Sequence, residues 1–334
     1  MSEAIVVCGP IPEPVGGVSI HISRLSTRLS QLGFVVSLVD ESPTIKSGIF
    51  NMRSFGIGQY FKLIASADVV HIHSSVRIFL FIHLIVASLL RKHIVITLHS
   101  WREPAIKNAV WRMLFKIFKP RLIFVSREIQ RRINLPGLVK EAYIHPDLDE
   151  EDELPAEVTD FIDSHRQRGT VVCVSNAYRL VQHQGECLYG LDMCLEAIHK
   201  IIQQQQGDVA MIYLVASYKD DDVTLQKYQQ FITDNQLEDK FLLYKGALSY
   251  SKLLSAADIS IRATNTDGDA LSVRESLNLG CLTIASDCVE RPLGTLLFKT
   301  RDVDNFIHVI LSTTEQLRNN SAEERQIADD CVGD

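Results

Sequence analysis

Short apolar runs alternate with segments of helical periodicity along the first half of the chain. The runs have the length of strands and occur at residues 4–8, 35–39, 69–73, 94–98 and 122–125. Between the first two, apolar side chains recur every three or four positions from Val18 to Leu32 and Gly33 follows them, which is typical of an amphipathic helix and its C-terminal glycine. Repeated strand–helix–strand order predicts a parallel, doubly wound sheet.

The same alternation resumes after residues 145–155, an acidic segment without periodicity. Further strand-length runs occur at residues 171–175, 210–215, 241–244, 258–261 and 282–285, with helical patterns such as 191–202 and 223–232 between them. We therefore predict an α/β protein with two doubly wound, Rossmann-like domains, residues 1–148 and 149–334. Because ligands bind at the carboxyl ends of parallel strands, the predicted active site is a central cleft between the domains.

One polar segment of the second half combines a turn with the start of a helix. It is TNTDGDALSVRESLNLG, from Thr264 to Gly280. Asp267 lies in the predicted turn, Asp269 is the predicted N-cap, and Glu275 lies about one and a half turns into the helix. A helix that begins at the carboxyl end of a strand offers free N–H groups and a positive end, and both suit a phosphate group.

A glycine-containing loop follows the first apolar run of the chain. Its sequence is GPIPEPVGGVS, in which Gly16 and Gly17 allow the backbone to approach a ligand closely. The loop matches neither the dinucleotide-binding pattern GxGxxG nor a P-loop, so neither site is indicated. Two glycines before a helix more often mark a plain tight turn than a ligand site.

Three histidines fall at the ends of strand-like runs. His71 and His73 share one face of a predicted strand, so a metal pair is conceivable, but no third ligand follows at a familiar spacing. We therefore predict no metal site. His99 is instead the predicted hydrogen-bonding group near a substrate.

Composition and charge limit the possible partners. The net charge of −7 conceals a basic first half, in which residues 1–150 carry 18 Lys and Arg against 11 Asp and Glu. Such a half suits an anionic surface or acceptor. The N-terminus shows no secretory leader, no apolar stretch reaches the roughly 20 residues of a membrane span, and the seven cysteines form no CxxC pair. These features predict a cytoplasmic protein with reduced thiols.

Residues 101–121 are predicted to form one helix with an apolar side and several basic side chains. A basic amphipathic helix of this kind is suited to the inner face of the cytoplasmic membrane, where anionic lipids are exposed. An ordinary helix that covers a sheet has the same periodicity. The pattern leaves both interpretations open.

These motifs together resemble the family 4 glycosyltransferases of the GT-B fold over nearly the whole chain. The segments GPIPEPVGGVSIHISRLSTRLSQLGFVVSLV, ADVVHIHS, IVITLHSW and LIFVSREIQRRI are similar to successive blocks of that family. The most specific match is DGDALSVRESLNLGCLTIASD, in which two acids, two glycines and the following strand keep the family's spacing.

The resemblance implies a role for each matching residue. Asp267 would lie near the donor sugar and Glu275 would hold the ribose hydroxyls. Gly16 and Gly17 would face the donor from the first domain, and His99 would lie beside the reacting sugar. The backbone amides that would meet the donor diphosphate are those of Ala270, Leu271 and Ser272.

One departure from the family concerns the cations that bind the diphosphate. The family has an Arg and Lys pair in a GRLxxxKG-like segment, whereas VSNAYRLVQHQGECLYGLD keeps Arg179 and has no lysine. A second departure is the first acid, which is usually Glu and is Asp267 here. The segments NAYRL, YGLD and TNTDGDALSVRE resemble the corresponding segments of a subgroup that is associated with bacterial surface-polysaccharide gene clusters.

The resemblance implies transfer of a sugar from a nucleoside-diphosphate sugar to a glycan or polyprenyl-diphosphate-linked acceptor. The resemblance also implies that the anomeric configuration is retained and that no metal, cofactor or nucleic-acid partner is needed. The implied pathway is capsule, O-antigen or exopolysaccharide biosynthesis. Three alternatives stay open. In the first, Asp267 and Asp269 would be the two acids of the metal-binding DxD of a GT-A enzyme, although that fold has a single domain. A GT-B-like sugar-nucleotide epimerase and a non-catalytic nucleotide-sugar-binding relative are the others.

Overall fold

The structure is a computed structural model that describes residues 3–12, 16–54, 56–101, 103–219, 221–267 and 270–332, with the backbone alone from 320 onward. The chain forms two compact units, Met1–His145 and Pro146–Asp334, and the division falls at the start of the acidic segment. Each unit is built around its own parallel sheet. The predicted α/β class with two doubly wound, Rossmann-like domains is therefore confirmed.

The first unit has a seven-stranded sheet in the order β3-β2-β1-β4-β5-β6-β7, and all of its pairings are parallel. Its strands are β1 (Ala4–Gly9), β2 (Val35–Asp40), β3 (Phe50–Asn51), β4 (Val69–Ile72), β5 (His93–Leu98), β6 (Arg121–Phe124) and β7 (Leu138–Val139). Its helices are α1 (Gly17–Gln31), α2 (Ile57–Ser66), α3 (Arg77–Leu89), α4 (Ala105–Phe118) and α5 (Arg127–Ile133), with a short 3₁₀ turn at Met52–Ser54.

Helices on both faces of this sheet explain why its strands are apolar at consecutive positions. In β1, Ile5 and Val7 pack on one face with Ile22 of α1, whereas Val6 and Cys8 pack on the other. A strand that is buried on both sides has no solvent-facing positions to alternate with. The continuous apolar run in the sequence therefore marks a central strand.

The second unit has a six-stranded parallel sheet in the order β12-β11-β8-β13-β14-β15, together with a two-stranded antiparallel hairpin, β9–β10. Its strands are β8 (Val171–Ala177), β9 (Gln182–His183), β10 (Glu186–Cys187), β11 (Val209–Val215), β12 (Phe241–Lys245), β13 (Ile259–Arg262), β14 (Leu282–Ser286) and β15 (Thr295–Phe298). Its helices are α6 (Ala156–Gln167), α7 (Leu191–Gln203), α8 (Val223–Asp234), α9 (Tyr250–Ala256), α10 (Leu271–Asn278) and α11 (Val303–Val332).

The helix predicted over residues 101–121 is shorter at both ends and corresponds to α4. Pro104 immediately precedes it, and a proline disfavours helical backbone in the residue before it. At the other end Lys119 adopts left-handed backbone with φ 49°, and Pro120 follows. The two prolines therefore fix the limits of α4. None of the helices that the structure describes is long and apolar enough to cross a membrane.

Candidate functional site

The strand order of the second sheet reverses between β8 and β13. The chain leaves β8 toward β11 and β12 on one side, and later returns to β13 and continues to β15 on the other. Loops on the two sides of such a switch point diverge, and the space at the carboxyl ends of the strands is where doubly wound sheets bind ligands. Candidate groups are therefore those that follow β8, β13 and β14.

A glycine holds the start of α7 against the end of β13. Gly190 has φ +71°, and a Cβ at this position would lie 2.0 Å from the carbonyl oxygen of Ala263. Only glycine allows this approach. The contact brings the preceding residue, Tyr189, beneath the guanidinium of Arg262, whose Cζ lies 5.0 Å from the centre of the tyrosine ring. This is a favourable cation–π distance.

Two arginines bind the carboxylate of Asp267, just after β13. Arg262 makes a bidentate pair, with Nε donating to Oδ2 at 3.0 Å and Nη2 to Oδ1 at 3.2 Å. Arg291 donates from Nη1 to Oδ2 at 2.9 Å, and its Nε donates to the carbonyl of Ser286 at the end of β14. Asp267 thus joins groups from two neighbouring strand ends.

The electrostatics of this cluster favour the charged forms of Asp267 and Arg262. Burial alone would raise the pKa of Asp267, but Arg262 and Arg291 outweigh it and hold that pKa below its ordinary value. Burial likewise favours a neutral Arg262, and Asp267 overcomes this and raises the pKa of the guanidinium. The cluster carries a net positive charge, because one carboxylate neutralises only one of two arginines. Such a site suits an anion.

This arrangement weighs against Asp267 as a ligand of a metal ion. Both carboxylate oxygens already accept hydrogen bonds from guanidinium groups, and two arginines beside them repel a divalent cation. Asp269, the other acid of the DxD pattern and the predicted helix cap, lies outside the described residues. The residue that immediately precedes α10 is Ala270, whose side chain cannot accept a hydrogen bond.

Glu275 lies in the middle of α10 and is only 5% exposed. The Oγ of Ser251, at the start of α9, donates to its carboxylate at 3.5 Å. Glu275 is therefore a buried helix residue and not an exposed surface acid. Its neighbours Leu271 and Ser272 form the first turn of α10, as the sequence predicts.

Arg179 follows β8 and is exposed, and no ion pair of its side chain occurs within the described parts of the chain. Gly16 is the N-cap of α1, and Gly17 is its first helical residue. A Cβ at either glycine would meet no described atom within 4 Å, so packing among these residues does not require glycine at either position.

A cluster of histidines lies at the corresponding switch point of the first sheet, where the order reverses between β1 and β4. The rings of His71 and His73 are 4.1 Å apart between centroids, which confirms that they share one face. Nδ1 of His73 and Nε2 of His99 are 3.0 Å apart and share a hydrogen bond. His21, from α1, lies with its ring centroid 5.0 Å from that of His99. No pattern in the sequence marks His21.

Burial keeps these imidazoles neutral. It lowers the pKa of His71 to about 4 and that of His99 to about 3, with smaller contributions from neighbouring histidines. Burial also lowers the pKa of His21, and it holds that of His73 well below its ordinary value. At neutral pH the cluster therefore supplies hydrogen-bonding groups and metal-ligand atoms without charge.

The loop that carries His73 is anchored from below by buried polar groups. Ser74 donates from Oγ to a carboxylate oxygen of Glu41 at 2.6 Å. The other oxygen of Glu41 is 3.1 Å from Nε2 of His83, whose Nδ1 is bonded to the hydroxyl of Tyr60. This chain of contacts fixes the end of β4 and hence the position of His73.

Helix α4 has an apolar row on its outer side as well as on its inner side. Trp111 and Phe115 are buried against the core of the first unit. The outer row is 49–82% exposed and consists of Ile106, Val110, Met113 and Ile117. The row ends at a cavity of about 550 Å³ that Ile117 lines together with basic side chains. These are Arg91, Lys92, Lys119 and Arg121.

Comparisons with known proteins identify the fold. No protein-family model matches the chain, and no curated protein matches it. A glycosyltransferase from Rickettsia africae ESF-5 is similar over 95% of this chain and 89% of its own, at 14% identity and a TM-score of 0.69. Anabaena Alr3699/HepE in complex with UDP-glucose is similar over 98% and 99%, at 15% identity and a TM-score of 0.63. Sucrose-phosphate synthase from Thermosynechococcus elongatus is similar over 99% of each chain, at 12% identity and a TM-score of 0.59.

Proposed function

We propose that this protein is a family 4 glycosyltransferase that moves a sugar from a nucleoside-diphosphate sugar to a glycan or lipid-linked acceptor. The observation that carries the proposal is the anion-suited cluster of Asp267, Arg262 and Arg291, which adjoins the helix that contains the buried Glu275. The fold supports it, because similar chains are glycosyltransferases and one was solved with UDP-glucose.

Each part of the second unit has a role in binding the donor. The start of α10, with Ala270, Leu271 and Ser272, offers backbone amides and a positive helix end to the diphosphate. Glu275, one turn further along, accepts hydrogen bonds from the ribose hydroxyls. Asp267 orients the two arginines and lies near the sugar.

Two arginines, Arg179 and Arg262, can replace the Arg and Lys pair with which the family binds the diphosphate. Departure of the nucleoside diphosphate concentrates negative charge on the leaving phosphate, and preorganised donors stabilise it by ~1.5–3 kcal/mol each when they are charged. Arg179, in the segment that follows β8, supplies one cation. We assign the second to Arg262, which Tyr189 supports from below and Asp267 keeps charged.

The first unit supplies uncharged hydrogen-bonding groups for the transferred sugar. A neutral imidazole at His99 both donates and accepts, so it suits a hydroxyl of the transferred sugar. A Cβ at Gly16 or Gly17 would meet none of the described atoms within 4 Å, and we assign these two glycines to the side that faces the donor. Attack on the same face as the leaving group retains configuration and requires no carboxylate nucleophile. We therefore propose a retaining transfer that does not depend on a metal.

A thermal-shift panel of UDP, GDP, TDP, ADP and CMP tests the proposal. One nucleoside diphosphate at 100 times its Kd is expected to stabilise the protein by ~2.7 kcal/mol, and CMP serves as the monophosphate comparison. The nucleotide that stabilises the protein identifies the nucleotide part of the donor. Consumption of that donor without an acceptor would indicate an epimerase, and binding without transfer to any acceptor would indicate a non-catalytic relative. A flat response to all five would refute the central hypothesis.

We further propose that the acceptor is a polyprenyl-diphosphate-linked glycan at an anionic membrane surface, in capsule, O-antigen or exopolysaccharide biosynthesis. The exposed apolar row of α4 and the basic cavity beside Ile117 support this, because insertion of apolar side chains and attraction to anionic headgroups reinforce each other.

A triple variant in which Ile106, Val110 and Ile117 are each replaced by serine is expected to bind anionic vesicles ~tenfold less at low salt. The reason is that three apolar side chains are no longer available for transfer from water into the membrane. Co-sedimentation with phosphatidylglycerol vesicles measures it. Ile57, an exposed isoleucine at the start of α2, gives the matched control Ile57→Ser. Equal retention of the triple variant and the wild type would exclude α4 as the membrane contact.

A further inference from the structure

Three histidines from separate elements of the first unit bring one ring nitrogen each to a common point. His21 comes from α1, His73 follows β4 and His99 follows β5. The three nitrogens all lie within 4.8 Å of one another. None of them is a near neighbour of another in sequence, so the fold alone assembles the group.

We propose that His21, His73 and His99 form a binding site for a divalent transition-metal cation such as Zn²⁺. Three imidazoles with a fourth, open position are a common ligand set for zinc. Tetrahedral bonds of 2.0–2.1 Å place ligand nitrogens roughly 3.3 Å apart. The 3.0 Å between Nδ1 of His73 and Nε2 of His99 is close to this spacing. Small ring rotations bring the third nitrogen to it.

The hydrogen bond of His21 prepares its other nitrogen for a metal. Nδ1 of His21 lies 2.7 Å from the carbonyl oxygen of Ala142, which can only accept, so Nδ1 carries the proton. The lone pair is therefore on Nε2. A histidine that binds a metal usually donates its remaining N–H to such a carbonyl, which fixes both the tautomer and the ring orientation.

His73 is the most buried of the three histidines, at 1% exposed. Gly9 makes room for this ring, because a Cβ there would lie 3.1 Å from the Cβ of His73 and 2.6 Å from Ile22.

The donor set selects the class of cation. All three ligands are imidazoles, which suit zinc, copper and nickel, whereas Mg²⁺, Mn²⁺ and Ca²⁺ prefer oxygen ligands. His71 belongs to the same ring cluster but is not part of this group, since its Nε2 is 2.8 Å from the hydroxyl of Thr97.

Occupation of the site would regulate transfer, an extension that rests on the proposed function. A metal bound at His99 removes that imidazole from the sugar. Micromolar Zn²⁺ is therefore expected to inhibit transfer, and EDTA to restore it. This is opposite to a GT-A enzyme, in which EDTA abolishes activity and Mn²⁺ restores it.

Calorimetric titration of Zn²⁺ into the untagged, chelator-stripped full chain tests the site itself. One equivalent is expected to bind to the wild type, and His73→Asn and His99→Asn are each expected to weaken binding at least tenfold. His71→Asn is the matched control and is expected to keep wild-type affinity. Thermal unfolding of each variant without metal shows whether it folds. Replacement of Zn²⁺ by Co²⁺ should give the intense visible absorption of a four-coordinate site.

Two results would overturn the proposal: no binding of Zn²⁺ by the stripped wild type, or the same loss of affinity in His71→Asn as in His99→Asn. The titration contains no nucleotide, so its outcome is separate from that of the proposed function. A protein that binds Zn²⁺ but no nucleoside diphosphate would retain the metal site and lose the glycosyltransferase proposal. A protein that binds a nucleoside diphosphate but no Zn²⁺ would retain the glycosyltransferase proposal and lose the metal site.

Discussion

Replacing Asp267 with alanine is expected to lower the free energy of unfolding by about 3–5 kcal/mol, the usual cost of removing one partner from a buried ion pair. In the variant, the guanidinium groups of Arg262 and Arg291 remain side by side but have lost the carboxylate that both of them bind. Their side chains are 14% and 2% exposed, so water cannot replace it. The loss should be one of the largest that a single substitution produces in this chain.

Urea unfolding followed by two probes measures this loss. Trp101 and Trp111, the two tryptophans of the chain, both lie in the first unit, so their fluorescence reports on that unit, whereas far-UV circular dichroism reports on both. The variant should lower the midpoint by circular dichroism more than that by fluorescence. The matched control is Asp239→Ala, which removes the carboxylate of an exposed pair with Arg168 and should cost only a small fraction as much.

The acid dependence of stability provides a second check on the same carboxylate. The folded state lowers the pKa of Asp267, so its contribution to stability is fully present above the unfolded pKa of about 4 and is lost as pH falls through the folded value. Wild-type protein should therefore lose more stability than Asp267→Asn between pH 5 and 2. Equal acid sensitivity of the two proteins would show that the arginines do not stabilise the charged form.

The long strands and both sheets could be predicted because each central strand is covered by helices on both faces and is apolar throughout. Strands β3 and β7 and the hairpin β9–β10 have only two residues each, too few for any periodicity to appear. β15 lies at a sheet edge and is only partly buried. Its pattern is correspondingly weak.

The candidate site was predictable only where its residues lie close together in sequence. Asp267 and Glu275 share one turn and helix, so their spacing identifies them. Arg291 binds Asp267 from the loop after the next strand, and no local pattern connects the two. Arg262 did leave a signal, since a charged residue ends an apolar strand at the edge where ligands bind. His21 is one of several polar residues on an amphipathic helix and left none.

Helix α4 shows a different limit of sequence patterns. The sequence predicts one apolar side, but the structure shows a buried face at Trp111 and Phe115 and a separate exposed row that includes Val110 and Met113. Helical periodicity shows that apolar residues recur on a helix, but not how many of them the core covers. The exposed remainder became visible only with the fold.

Glu275→Gln and Arg179→Ala are each expected to lower transfer at least tenfold through different parts of the donor. The neutral amide at position 275 keeps the shape of the side chain but loses charge-assisted hydrogen bonds to the ribose, each worth ~1.5–3 kcal/mol. A tenfold change in rate corresponds to ~1.4 kcal/mol, so one such bond suffices. Arg179→Ala removes a cation from the leaving diphosphate, whose charge grows only in the transition state.

The kinetic constants should therefore separate the two residues. Loss of a contact that the bound donor already makes raises KM for the donor in Glu275→Gln, whereas loss of transition-state stabilisation lowers kcat in Arg179→Ala. Arg179 is exposed, so its alanine variant should unfold at the wild-type temperature, and a fall in kcat then reflects chemistry. Glu196→Gln, at an exposed acid on α7 of the same unit, is the matched control and should change neither constant. Wild-type kinetics in Glu275→Gln would remove Glu275 from the donor site, because a buried carboxylate that contacts the ribose cannot lose its charge without effect.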